Sequence, residues 1–160
     1  MFGRLAIIGL CAWFMALPAK ADDKIERGAY LARIMDCGGC HTPGVFAGKP
    51  DFGRMLGGSE IGFNLPGLGI FYPPNLTPDA TGLGAWSEDQ IVIAVRTGVR
   101  PDGRALAPVM PWHSYAALTD EDAGALAAYL KSLTPVKNQV PAPVAADGKA
   151  TAPYLTVVAP

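Results

Sequence analysis

The sequence predicts an all-α domain, with three main helices and long irregular loops. Three observations lead to it. Apolar residues recur at helical spacing near 23–36, 87–97 and 118–133. Between the first two stretches the chain is rich in glycine and proline and keeps neither a 3.6 nor a 2.0 period. Directly after the first stretch comes Cys37-Gly38-Gly39-Cys40-His41, which reads as the attachment site of one covalently bound haem c.

Two thiols three positions apart can each add across one vinyl group of the porphyrin, and the adjacent imidazole then serves as the proximal iron ligand. Gly38 and Gly39 keep side chains from intruding between backbone and macrocycle. A zinc half-site or a thioredoxin-like pair also uses C-x-x-C. Zinc needs four ligands, and the mature chain offers only these cysteines, His41 and His113. The βαβ context of a thioredoxin motif is missing from the neighbouring sequence.

At 160 residues, with 19 glycines, 15 prolines and a charged fraction of 17%, the chain suits one domain whose core is completed by a buried cofactor. Residues 1–21 read as a cleaved secretory signal: Arg4, an apolar run from Leu5 to Leu17, then Ala19-Lys20-Ala21 before Asp22. That run is shorter than the ~20 residues of a membrane span, so no stable span is expected after cleavage. Without the segment, 11 basic face 14 acidic side chains. This balance argues against nucleic acid, which calls for a basic patch. The domain is expected over 22–136, with a Pro/Ala-rich tail over 137–160 that either docks Tyr154–Val158 as a strand or stays mobile.

Taken in order, Asp23–Asp36 places Ile25, Tyr30, Leu31, Ile34 and Met35 towards the interior. Gly28 costs such a helix about 1 kcal/mol relative to alanine, which a helix crossing close above it would explain. Thr42–Ala85 is a loop organised by a cofactor face, its Phe63–Tyr72 part forming either one wall of a crevice or a surface hairpin. A carbonyl near Pro43 or in the following loop is expected to orient His41 through its second ring nitrogen. Asn75, Thr77 and the Trp86 indole are candidate donors to haem propionates, although asparagine and threonine also shape turns. Ser87–Thr97 opens on a capping box, Ser87 with Gln90, and stops at Gly98. Arg96 is a further candidate for a propionate, or a helix-end cation in solvent. Ala105–Pro111 is expected to run extended and to hold the Met110 thioether out towards the iron. The last helix starts at Leu118 or Thr119, carries Asp120, Glu121 and Asp122 at its positive end and runs to Leu133.

The iron needs a sixth ligand, and the candidates are Met110, Met55, His113 and Met35. Met110 is favoured, because a thioether raises the potential in the manner of a carrier. His113 would give a lower-potential bis-histidine site, and Met35 lies too near the cysteines to reach the opposite ring face.

Cys37–His41, then Asn75-Leu76-Thr77-Pro78-Asp79 with Thr81–Gly84 and Trp86-Ser87, then Met110-Pro111 and Leu118–Asp120 through Ala128–Leu130 resemble one domain of the cytochrome c subunit of bacterial membrane-bound alcohol and related dehydrogenases. The resemblance covers roughly Ile25 to Val136. It implies the small helical cytochrome c fold, with terminal helices crossing and His41 and Met110 as axial ligands. Those subunits usually carry three haem motifs and a C-terminal membrane-binding segment, so this chain resembles a single detached domain. The expected function is single-electron transfer in the periplasm, as a mobile carrier or as a dehydrogenase's cytochrome subunit, with no catalysis of its own. Its partners would be a dehydrogenase, a terminal oxidase or another cytochrome. The alternative is a haem protein whose open or labile sixth site senses a gas or reacts with peroxide.

Overall fold

A computed structural model describes residues 19–158 of the chain. The expected export segment lies outside them except for its last positions, which form the first turn of helix α1 (Ala19–Ile34). The other helices are α2 (Cys37–His41), α3 (Glu88–Thr97), α4 (Trp112–Tyr115) and α5 (Asp120–Ser132), with 3-10 turns at Val45–Ala47 and Phe52–Arg54. Among the described residues no helix is long and apolar enough to cross a membrane.

Helices α3 and α5 begin where side chains cap free backbone amides. Ser87 and Gln90 form the reciprocal box at α3, and the Thr119 hydroxyl accepts from the Asp122 amide at α5. The two terminal helices cross at Gly28. A Cβ there would fall on the Ala125 carbonyl and within 2.6 Å of Tyr129 Cβ, so the weak helix former is required by the contact. Beside the crossing, the Arg27 guanidinium grips the Asp122 carboxylate through Nε at 2.8 Å and Nη2 at 3.1 Å. Lys24 reaches Glu88 of α3 at 3.2 Å. Between these helices lies the core, made of Leu31, Ala32, Leu56, Leu83, Ile91 and the α5 face Ala125–Leu126–Leu130. Burying each leucine or isoleucine contributes about 1.5–3 kcal/mol, while the small residues of α5 let the backbones approach.

The all-α expectation needs one correction. Strands β1 (Gly62–Leu65) and β2 (Gly69–Phe71) form an antiparallel hairpin, and β3 (Tyr154–Leu155) adds to β1 in parallel, giving the order β2-β1-β3. The strands are too short for alternation to register, and the third comes from the far end of the chain.

The segment after α5 is packed along the loops instead of hanging free. Val144 exchanges both backbone bonds with Ile70 at 2.8 and 2.9 Å, and the Tyr72 hydroxyl donates to the Ala152 carbonyl at 3.1 Å. From the last turn of α5, Lys131 donates to the carbonyls of Leu83, Gly84 and Trp86 at 3.1, 3.2 and 2.8 Å.

Candidate functional site

Helix α2 is the C-x-x-C-H segment itself. Asp36, in a left-handed conformation at φ 53°, turns the chain out of α1 and into this helix. One turn then brings Cys37 and Cys40 to the same face, both free, Cys37 buried and Cys40 half-buried. The glycines between them differ in need. A Cβ on Gly39 would strike the Asp36 carboxylate, whereas one on Gly38 meets Thr42 Oγ1 at an ordinary 3.7 Å.

Burial pushes the Cys37 thiol up to about 11, and burial also raises Cys40, with Asp36 adding to it. A dithiol redox motif works through a lowered thiol pKa; these thiols are shifted the opposite way. Among the described residues no group of His, Cys, Asp and Glu converges as a ready-made metal site, so the pair is not part of a zinc cluster there. The cysteines are instead arranged as a protonated, reduced pair beside one histidine.

His41 is buried at 6% exposure. Its Nδ1 lies 2.7 Å from the Pro74 carbonyl oxygen. A carbonyl only accepts, so Nδ1 carries the proton and Nε2 keeps its lone pair. Burial, opposed only in part by that bond, holds the imidazole below its ordinary pKa and so neutral. This is the state in which imidazole binds a metal. The orienting carbonyl thus comes from Pro74 in the loop that follows, and not from the neighbourhood of Pro43. The backbone of His41 is held too, its carbonyl accepting from Gly58 at 2.8 Å. Next to it Leu56, buried and at φ 62°, sits in a backbone region costly for a bulky residue.

A match to the cytochrome c family model covers residues 25–134. The chain belongs to the cytochrome c family. Electron transfer and covalently bound haem c are the properties of that family, and the C-x-x-C-H helix lies inside the matched region. The cytochrome is 40% identical over 130 residues to the gluconate 2-dehydrogenase cytochrome c subunit of Pantoea cypripedii, an alignment of 78% of this chain and 27% of that one. It is 38% identical over 143 residues to the cytochrome c subunit of the quinone alcohol dehydrogenase of Gluconobacter oxydans (strain 621H), covering 86% and 28%. With the fructose dehydrogenase cytochrome subunit of Gluconobacter japonicus it shares 40% over 134 residues, covering 79% and 26%. The cytochrome spans about a quarter of the length of these relatives.

The donor set fits the haem on the side of the motif: two reduced thiols on one face of a single turn, and a neutral histidine with a free Nε2. Of the sixth-ligand candidates, Met55 is 47% exposed in the loop, Met35 packs against the core, and His113 is exposed with its ring laid on the Trp112 indole. Met110 is half-buried. Its segment is not extended as expected. Met110 closes a turn on the Ala107 carbonyl at 2.9 Å, and Pro111 stands directly before α4 as its N-cap. The Tyr115 hydroxyl then donates to the Met35 carbonyl at 2.9 Å, which brings the segment after Met110 against the start of the haem helix. Burial, with Cys37, Cys40 and Asp36 nearby, pushes Tyr115 up to about 12.

The residues expected to meet the propionates stand elsewhere in the bonding scheme. Asn75 Nδ2 donates to Val136 O at 2.7 Å and Thr81 Oγ1 at 3.0 Å, while its Oδ1 accepts from the Thr77 amide and hydroxyl. Both side chains are spent inside the protein, tying one loop to the chain's last segment. Arg96 pairs with Asp120, and Trp86 packs on the core under the Arg100 guanidinium, 5.0 Å from its ring centroid. The sequence reading missed Trp112, whose Nε1 is buried over Gly98 with no hydrogen-bond partner among the described residues. Nothing local in the sequence marks it, since the buried nitrogen lies over Gly98, in a separate segment.

Proposed function

We propose that this chain is an exported, monohaem electron-transfer protein with His41 and Met110 as axial ligands, serving a periplasmic dehydrogenase as its cytochrome subunit or carrier. The observation that carries it is the buried His41 ring, fixed by Pro74 with Nε2 left free and placed directly beside two reduced cysteines. The similarity to three dehydrogenase cytochrome subunits supports the class of partner.

When bound, the haem supplies a one-electron couple at its iron. Cys37 and Cys40 tether it, and His41 is held in one tautomer by Pro74. The bend at Met110 and the turn of α4, anchored by Tyr115 to Met35, fix the thioether's backbone. Trp112 offers the buried, unpaired donor that Asn75 and Thr77 do not. With His41 and Met110 both holding the iron, no substrate would have to reach it.

The test is the absorption spectrum of the oxidised and reduced holoprotein, wild type and Met110→Ala. A weak far-red sulfur-to-iron band in the oxidised wild type, lost in the variant, is expected. A wild type without the band, whose reduced form takes up carbon monoxide freely, would replace this reading with an open-site sensor or peroxide-reactive protein.

A further inference from the structure

His41 is gripped at two points, and both lead to the same short piece of chain. Its ring bonds the Pro74 carbonyl at 2.7 Å, and its own carbonyl accepts from Gly58 at 2.8 Å. Neither Pro74 nor Gly58 belongs to a helix or strand, so something else must hold them. That support is the segment 136–140, just beyond the region matched to the family, which ends at 134.

On the Pro74 side, Val136 is stitched to the next residues of the loop. Its carbonyl accepts from Asn75 Nδ2 at 2.7 Å, and its amide donates to Thr77 Oγ1 at 3.0 Å. On the Gly58 side, Asn138 Nδ2 donates to the Gly57 carbonyl at 2.8 Å, and the Asn138 amide donates to Thr81 Oγ1 at 3.1 Å. Gly58 itself sits at φ 94°, where a Cβ would lie 2.5 Å from Val140 Cγ1 and 2.8 Å from the Asn75 amide. Val140 is therefore wedged against the point where the two supporting loops meet.

We propose that residues 136–140 form a brace that sets the orientation and donor strength of the His41 imidazole, with Asn138 and Val140 as positioning residues. This rests on the reading of His41 as the haem ligand. A carbonyl bonded to Nδ1–H fixes the ring and raises the basicity of its other nitrogen. A more basic imidazole stabilises the oxidised iron, so slackening the brace raises the reduction potential. Asn138 is two loops away from the ring and acts only through Gly57–Gly58 and Thr81–Asn75.

The experiment uses the full-length reduced holoprotein, labelled with nitrogen-15 at histidine, and reads two quantities: the exchange rate of the His41 Nδ1 proton and the midpoint potential. Asn138→Ala, which removes the bond to Gly57, is expected to speed exchange about tenfold, the factor for loss of one hydrogen bond's net ~1.4 kcal/mol, and to raise the potential; Val140→Ala, which removes packing only, is expected to shift both the same way by less. Lys149→Ala, an exposed change in the same tail but outside 136–140, is expected to change neither. Variants that lower thermal stability but keep wild-type exchange and potential would overturn the brace, leaving a structural strap only. A His41 ring without the large ring-current displacement of an axial ligand would instead overturn the haem-ligand reading beneath it.

Discussion

At the scale of single residues, the site depends on where a few polar atoms find partners. Trp112 Nε1 is buried and unpaired, which native proteins rarely allow without a water or ligand to receive the bond. Trp112→Phe in the holoprotein is expected to lower unfolding free energy by about 1.5–3 kcal/mol, the worth of a hydrogen bond to a charged acceptor. An unchanged denaturation midpoint would mean that the indole proton stays unpaired when haem is bound. Lys131 presents the opposite case, with one ammonium satisfying three loop carbonyls. Lys131→Met keeps the stem and removes the bonds, so a loss of about 2 kcal/mol is expected by urea titration. One side chain near the end of α5 thus fastens the 83–86 loop to that helix.

At the scale of elements, the crossing of α1 and α5 sets the frame. Gly28→Ala improves helix propensity by about 1 kcal/mol but drives a methyl into the Ala125 carbonyl and the Tyr129 Cβ. Overpacking against backbone costs more than the gain, and a net destabilisation of about 2 kcal/mol is expected in equilibrium unfolding. The same crossing carries a pH signature. The Arg27 guanidinium holds the Asp122 carboxyl below its ordinary range, so the unfolded chain takes up this proton at a higher pH than the folded one. The pair's contribution is complete above the ordinary carboxylate pKa of about 4 and fades as pH falls through the lowered folded value. Asp122→Asn is expected to flatten the dependence of melting temperature on pH below about 4, measured at low salt.

The molecule as a whole joins a helical frame to a wrapped-over tail. Ending the chain at Pro135 removes Val136, Asn138 and β3 together. Asn75 Nδ2 would then lose its Val136 partner, Gly57 its Asn138 donor and β1 its parallel neighbour. A stability loss of about 3 kcal/mol or more is expected from those bonds together, read from denaturant unfolding of the holoprotein. Much of the frame was legible in the sequence. The capping residues at Ser87 and Thr119, the crossing at Gly28 and the C-x-x-C-H turn are local signals or follow from one. What stayed hidden is non-local. Asn75 and Thr77 read as ligand donors because their partner Val136 lies far along the chain. The all-α expectation missed a sheet whose third strand has only two residues, Tyr154–Leu155. Met110 read as extended because a proline follows, although Pro111 stands directly before a helix, α4.

The parallel pairing of β3 on β1 also sets an order of events. A polypeptide emerges N-terminus first, so both thiols and His41 are synthesised well before the residues that complete their surroundings. Until 136–155 arrives, Asn75 and Gly57 lack their Val136 and Asn138 partners, and Pro74 and Gly58 their outer support. The late strand is thereby among the last contacts to form, since the Asn64–Thr156 bond beside it spans 92 positions of chain.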